Sequence, residues 1–139
     1  MRTTLLILAP LLLAAPAVSA KETILPGYWE SRNNATFIIK TPEKVERRCI
    51  KPEQVDAYLS GPSTSHYKCD YASKTVGDGA VHFRGQCKDK HGRAFEVEIN
   101  GAYAPEHFTM GAKFKPAGVP IYGTATTDAH RLSAECPAK

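Results

Sequence analysis

Apolar and polar residues alternate along most of the chain, which is the period expected of β-strands that bury one face. The alternation is cleanest at residues 95–100, and the segments 28–40 and 121–132 are rich in β-branched and aromatic residues. Asn33-Asn34 is a turn signal, so two strands are expected within 28–40. Short runs with glycine and proline separate the remaining segments. The pattern therefore predicts a mainly β protein of about seven strands joined by short turns.

Residues 52–60 carry the one plausible helical pattern in the chain. Pro52 suits the first position of a helix. Val55, Tyr58 and Leu59 recur at helical spacing and form a short apolar stripe. A helix of two turns is marginal in isolation, so packing against the sheet must stabilise it.

The segment between Cys69 and Cys87 predicts a β-hairpin. The triplet Gly77-Asp78-Gly79 lies midway between the cysteines and suits a three-residue loop, a type I turn followed by a glycine in the left-handed region. With this loop, Cys69 stands directly opposite Cys87. The alternative is a two-residue Asp78-Gly79 turn, which shifts the register by one residue and misaligns the cysteines.

The hairpin's two faces differ in polarity when the three-residue loop is used. Alternate side chains of a strand share a face, so the loop also decides which residues meet the core. The shifted register would separate Tyr71 from Phe83, and the pattern therefore favours the three-residue loop. The expected core face carries Cys69, Tyr71, Val81, Phe83 and Cys87, and the expected solvent face carries Asp70, Lys74, His82, Arg84 and Gln86.

Residues 1–20 predict a cleaved signal peptide. Arg2 supplies the positive charge, an almost wholly apolar run follows, and Val18-Ser19-Ala20 ends in the small-residue pattern of a cleavage site. The alternative is a transmembrane anchor, but the apolar run is short for a span, which takes about 20 residues. Cleavage would leave residues 21–139 as one domain, with no membrane span.

The charge of the chain narrows the classes of partner. The sequence has 18 Lys+Arg and 14 Asp+Glu, and removal of Arg2 leaves 17 against 14, a mature net charge of +3. These charges are spread out and form no basic stripe interleaved with aromatic residues. Nucleic acid binding is therefore not expected.

Four cysteines in an exported chain predict two disulfides. The hairpin register selects Cys69–Cys87, which leaves Cys49–Cys136. The second bridge would bring the early strands to the last one and curl the antiparallel meander into a half-open barrel. A zinc site is disfavoured, because the sequence has no Cys-x-x-Cys motif and no pair of histidines at ligand spacing.

Several short motifs carry a family resemblance. They are PGYWE at 26–30, CIKPE at 49–53, the turn at 78–79, the start of the last strand at 123–124, and the order of the four cysteines. Together they resemble domain of unknown function family 3617 (DUF3617) over nearly all of residues 24–136. The resemblance implies a small exported bacterial protein without an assigned biochemical role. Many relatives look methionine-rich near the first turn, whereas this mature chain has a single methionine.

No catalytic motif is visible, and we expect no enzymatic activity, no cofactor and no metal site. The residues singled out as possible ligand contacts are aromatic: Tyr28, Trp29, Tyr58 and Tyr122. In one interpretation Tyr28, together with Tyr58 and Tyr122, lines the mouth of the half-open barrel. In the other, Trp29 simply anchors the core, since adjacent strand residues point to opposite faces.

These observations predict a monomeric periplasmic or secreted protein without enzymatic activity. Its expected role is to bind a small apolar molecule or a partner in the cell envelope. The alternative is a protein-interaction role, such as inhibition of a cell-wall hydrolase. In that case one of the loops at 88–93 and 116–120 would carry the recognition.

Overall fold

The computed structural model describes residues 23–61 and 66–138, and it confirms a mainly β fold with one short helix. Seven long strands and one strand of two residues form a single antiparallel sheet. The predicted signal peptide lies outside the described residues and stays a prediction. The strands are β1 (Gly27–Phe37), β2 (Ile39–Lys40), β3 (Lys44–Ile50), β4 (Tyr67–Gly77), β5 (Ala80–Asp89), β6 (Ala94–Ala104), β7 (His107–Pro116) and β8 (Gly123–Ser133).

The strand order explains why the barrel is only half closed. Along the sheet the order is β2-β1-β8-β7-β6-β5-β4, and β3 also pairs with β1. The first and last long strands therefore meet, since β1 and β8 are hydrogen-bonded from Tyr28↔Ser133 to Thr36↔Thr124. No pairing among the described residues joins β4 to β2 or β3. The sheet is thus an open meander curled on itself, as the sequence predicted.

The turns alternate between two ends of this half-barrel, and the short helix covers one of them. We call the end that carries the β4–β5 and β6–β7 turns the closed end, because the helix α1 (Val55–Leu59) packs on the concave face beside it. A 3-10 turn at Pro52–Gln54 precedes α1. We call the opposite end, which carries the β1–β2, β5–β6 and β7–β8 connections, the open end.

The fully buried core lies near the closed end. Trp29, Phe83, Ile24 and Ile50 are its largest side chains without solvent exposure. The Trp29 ring lies 5.3 Å from that of Phe108, and the indole N–H donates to the carbonyl of Leu25 at 3.1 Å. Residues from both the sheet and the segment before β1 therefore seal this end.

The hairpin between the cysteines combines the two registers considered from the sequence. Cys69 does face Cys87, but the turn is the two-residue Asp78-Gly79, so the prediction of a three-residue loop is wrong. A β-bulge between Tyr71 and Ser73 reconciles them, because one extra residue on β4 shifts the register back. Asp78 and Gly79 both adopt positive φ, which fits the twist of a two-residue hairpin turn.

The bulge has one further consequence for side-chain placement. Between the bulge and the turn, β4 presents the opposite set of residues to the concave face. Lys74 now pairs with Phe83 and lies 5.5 Å from the Tyr71 ring, instead of standing on the solvent face as predicted. The predicted core residues Val81, Phe83 and Cys87 are buried as expected.

Both predicted disulfides are present, joining Cys69 to Cys87 and Cys49 to Cys136. The turn predicted at Asn33-Asn34 is wrong, since β1 continues through it. The side chain of Asn33 is used across the sheet instead: its carbonyl accepts from the Thr127 hydroxyl at 2.8 Å. A partner on the neighbouring strand thus replaces the local hydrogen bond that makes asparagine a turn former.

Candidate functional site: an apolar cavity at the open end

A cavity of about 770 Å³ occupies the concave face at the open end of the half-barrel. This volume falls within the range of about 300–1,000 Å³ typical of small-molecule sites. Its described walls are apolar apart from one charged pair. The lining residues are Phe37, Tyr67, Cys69, Tyr71, Cys87, Asp89, Arg93, Ala94, Phe95, Val97, Ile99, Ala112, Phe114, Pro116, Ala117, Val119 and Ala125.

Small residues on the strands leave the space in which the cavity forms. Ala112 and Ala125 are register partners on β7 and β8, and Ile99 on β6 lies beside Ala112. All three point to the concave face and line the cavity. Nearer the closed end, larger neighbours such as Trp29 and Phe108 occupy the equivalent space over β1 and β7, and a second hollow of about 1020 Å³, with a more polar lining, lies between α1 and the β4–β5 turn. Side-chain size on neighbouring strands therefore sets where the core stops and the cavity begins.

Aromatic rings form the wall nearest the mouth. Phe114 stacks on Phe37 with ring centroids 5.9 Å apart, and Phe95 meets Phe114 edge-on at 6.4 Å. Tyr67 meets Phe95 edge-on at 6.2 Å. Gly123 is required here, because a Cβ at that position would overlap the ring of Phe114. The wall is thus a chain of aromatic contacts that presents carbon surface to the cavity.

The Cys69–Cys87 disulfide and Tyr71 form part of the opposite wall. Burial raises the pKa of the Tyr71 hydroxyl to about 12, with a smaller contribution from Tyr67. Tyr71 is therefore neutral throughout the physiological range. This wall adds no charge to the cavity.

The charged lining residues Asp89 and Arg93 neutralise each other. The Arg93 Nε donates to the carboxylate of Asp89 at 2.6 Å, and the backbone N–H groups of Arg93 and His91 donate to it at 3.0 and 2.8 Å. These bonds, led by that of the Arg93 backbone, hold the pKa of Asp89 below its ordinary value. The pair closes the β5–β6 loop and places its polar groups in a cavity lined otherwise by apolar and aromatic residues.

The four aromatic residues proposed from the sequence are absent from the cavity lining and are not brought together, although Tyr122 lies at the open end in the β7–β8 loop. Trp29 is a core residue, as the second interpretation held. Tyr28 lies on β1 opposite Cys49 and is half-buried. The Tyr58 hydroxyl accepts from Arg48 at 3.1 Å, over a separate hollow of about 370 Å³. Tyr122 is exposed, with the Lys115 ammonium 5.5 Å from its ring centre.

Sequence reasoning missed the aromatic residues that do line the cavity. In the sequence, nothing distinguishes these residues from other inward-facing strand positions; they are Phe37, Phe95 and Phe114. The available signal was the pair of small residues Ala112 and Ala125 at inward positions of strands that otherwise alternate large apolar side chains. Their pairing across β7 and β8 depends on register, which the sequence alone did not fix.

The convex face carries the polar chemistry, and it is arranged as paired charges. Glu30 is the one buried charged residue described, and its carboxylate accepts from the Arg47 Nε at 2.8 Å. This bond is the main reason why the pKa of Glu30 lies below its ordinary value. His107 lies 3.0 Å from the carboxylate of Asp128. Across residues 23–61 and 66–138, no cluster of three or more His, Cys, Asp or Glu side chains is arranged to hold a metal.

The fold and the cavity define a disulfide-braced β half-barrel with an apolar pocket at one end. Residues 24–136 match the family model "Protein of unknown function (DUF3617)", and the chain belongs to this family. Comparison with curated proteins and with solved structures finds no significant match. None of the helices in the described part of the chain has the length and apolar character needed to cross a membrane.

Proposed function

We propose that this protein is a non-enzymatic binding module that holds a small apolar ligand in the open-end cavity. One observation carries the proposal: an apolar space of about 770 Å³, walled by aromatic rings and a disulfide, with a single charge pair in its lining. Burying apolar ligand surface there is favourable by roughly 25 cal/mol per Å². The neutralised Asp89–Arg93 pair leaves no unpaired charge to oppose it.

The proposed setting is the periplasm or the extracellular medium, with the protein acting as a monomer. Two disulfides are typical of an oxidising compartment. The predicted signal peptide at 1–20 supports the same setting. Intact-mass measurement of protein recovered after expression of the full chain tests it, because cleavage after Ala20 gives a chain that begins at Lys21.

A cavity-blocking substitution with a matched control tests the binding proposal. Ala112→Trp places an indole in the cavity, whereas Ala102→Trp places one at an exposed position on the other face of β6. We expect the wild type to bind the environment-sensitive dye N-phenyl-1-naphthylamine, Ala112→Trp to weaken binding by about tenfold or more, and Ala102→Trp to leave it unchanged. Fluorescence titration measures all three.

Native mass spectrometry after incubation with an envelope lipid extract extends the test to natural ligands. A bound mass present in the wild type and lost in Ala112→Trp supports the proposal. Absence of dye binding by the wild type, or equal binding by the two tryptophan variants, contradicts it. The second result would leave the alternative, inhibition of an envelope enzyme through the loops at 88–93 and 116–120, as the better interpretation.

A further inference from the structure

Four exposed apolar residues surround the mouth of the cavity. Ile38 and Ile39, at the β1–β2 tip, are each 75% exposed, and Tyr122 and Ile121, in the β7–β8 loop, are 62% and 43% exposed. We call these four residues the apolar rim. Large aliphatic side chains at such exposure cost solubility, and a clustered set marks an interaction surface more often than a scattered one does.

The sheet register places the two halves of the rim side by side. Thr36 on β1 pairs with Thr124 on β8, so the chain continues from both strands beyond the same edge of the sheet. Phe37, the last residue of β1, and Val119, in the β7–β8 loop, both line the cavity. The rim is therefore continuous with the apolar wall of the pocket.

The backbone at the tip supports a specific role for Ile38. This residue has φ of 66°, in the left-handed region that a β-branched side chain rarely adopts. Two hydrogen bonds brace the turn: the Thr41 N–H and the Thr41 hydroxyl both donate to the carbonyl of Ala35, at 2.8 and 2.9 Å. Strained conformations of this kind concentrate at functional positions. The tip thus carries isoleucine at position 38, where glycine or asparagine would fit the backbone better, and a second exposed isoleucine beside it.

The charges of the surrounding loops indicate what the rim contacts. Lys40, Lys90 and Lys115 belong to the connections and strand ends at the open end, and none of the three has an ion pair among the described residues, whereas Arg93 is paired with Asp89. The Lys115 ammonium lies 5.5 Å from the centre of the Tyr122 ring. Aliphatic side chains that enter the acyl region, a tyrosine at headgroup depth and flanking lysines together form the pattern of a surface that binds anionic bilayers.

We infer that the open end docks on a lipid membrane with anionic headgroups, with the apolar rim inserted into the interface. The inference rests on the proposed function in one respect, since docking would let an apolar molecule pass between bilayer and cavity without crossing water. A protein partner explains the exposed isoleucines equally well, but it does not require three lysines without ion pairs beside them. The bilayer is therefore the occupant that both observations favour.

Vesicle flotation tests the inference with protein recovered after expression of the full chain, its N-terminus defined by intact mass. The vesicles are phosphatidylcholine alone, or phosphatidylcholine with about a quarter phosphatidylglycerol. The test variant is Ile38→Asn/Ile39→Ser, in which asparagine suits the left-handed conformation at 38. The matched control is Leu132→Ser, which removes an exposed aliphatic side chain from the strand end at the closed end.

We expect the wild type and Leu132→Ser to float with the anionic vesicles and to release at high salt. Ile38→Asn/Ile39→Ser should bind the anionic vesicles at least about tenfold more weakly than the wild type, because it loses the inserted side chains. Equal binding by the rim variant and the wild type would overturn the inference. Failure of the wild type to bind anionic vesicles would also overturn the inference. A dimer of the wild type in sedimentation, together with no vesicle binding, would show that the rim contacts a second copy of the chain instead.

Dye binding without vesicles separates this inference from the proposed function. Ile38→Asn/Ile39→Ser should bind N-phenyl-1-naphthylamine as the wild type does, because the cavity is intact. Ala112→Trp should lose the dye and still float with anionic vesicles. Loss of dye binding in both variants would mean that the isoleucines belong to the pocket itself and would count against a separate docking role.

Discussion

The two ends of the half-barrel use the same strands to different effect. At the closed end the concave face is covered by α1 and by the segment before β1, and Trp29 and Phe83 lose all contact with solvent. At the open end the strands continue with the same alternation, but Phe95 and Phe114 stay half-buried around a cavity. The difference comes from what covers the sheet and from the alanines between its large side chains.

This comparison shows why apolar alternation is a poor guide to a filled core. A strand position that faces inward is buried only when another element reaches it. The helix spans only Val55–Leu59 and packs beside the closed end. The open end therefore has the apolar composition of a core without the packing of one. We expect the closed end to contribute most of the stability and the open end to bind the ligand, and four predictions test this division.

The largest expected effect concerns the disulfides, one of which braces each region. Cys49–Cys136 closes 87 residues of sequence separation near the closed end, and Cys69–Cys87 closes 18 in the cavity wall. On the chain-entropy model, replacing Cys49 and Cys136 by serine should lower the free energy of unfolding by about 4–5 kcal/mol. Replacing Cys69 and Cys87 by serine should lower it by about 3 kcal/mol. Urea denaturation measures both losses, and a larger loss for the second pair would contradict the model.

The second prediction compares one residue type at the two ends. Phe83→Ala removes a fully buried ring that lies 5.5 Å from Tyr71, and should cost about 3–5 kcal/mol. Phe95→Ala removes a half-buried ring from the cavity wall and should cost clearly less, while weakening dye binding. Denaturation and dye titration on the same samples check this. Equal destabilisation would mean that the open end is packed as tightly as the closed end.

The third prediction adds volume instead of removing it. Ala129 is buried opposite Phe108, so Ala129→Phe overpacks the closed end and should destabilise by about 1–3 kcal/mol. Ala112→Phe projects into the cavity, where space exists, and should leave thermal stability near that of the wild type. Calorimetric melting of the two variants measures the contrast. A comparable fall in melting temperature for both would argue against an empty cavity.

The smallest expected effect is the contribution of two carboxylates to acid stability. The pKa of Glu30 is lowered mainly by the hydrogen bond from Arg47, and that of Asp89 mainly by the Arg93 backbone N–H. A pKa lowered in the folded state contributes stability above the ordinary value, and this contribution is lost as pH falls through the folded value. The wild type should therefore lose stability as pH falls through the acidic range.

Glu30→Gln and Asp89→Asn should each reduce this loss, and Glu30→Gln should reduce it more because its carboxylate is less exposed. Urea midpoints at about pH 6 and about pH 3 measure the change. A pH dependence as steep as that of the wild type in both variants would show that these two carboxylates do not set acid stability.

Much of the fold was predictable because it depends on local patterns and on covalent chemistry. The alternation at 95–100 predicted β6, the stripe of Val55 and Leu59 predicted the helix, and the cysteine pairing predicted the half-open barrel. The errors lie where a non-local partner overrode a local signal. Thr127 on β8 drew Asn33 into a continuous β1, and a bulge on β4 let the cysteines align over a two-residue turn.

The candidate site was much less predictable than the fold. Its lining comes from six strands and two connections, and which aromatic residues meet depends on register and on sheet curvature. Tyr28, Trp29, Tyr58 and Tyr122 were chosen from the sequence as aromatic, yet none lines the cavity. The alternation of apolar and polar residues predicts whether a strand position faces the core. It does not predict which side chain on another strand lies opposite that position, or how far away it is.

The sequence by itself determined a disulfide-braced antiparallel β domain, because alternation and cysteine placement act through neighbouring residues and covalent bonds. Only the tertiary structure decided that α1 covers one end of the concave face and leaves an apolar cavity uncovered at the other. That outcome depends on how far a helix of five residues reaches across a curled sheet. It also depends on Ala112 pairing with Ala125, so that two small side chains meet where large ones would have closed the space.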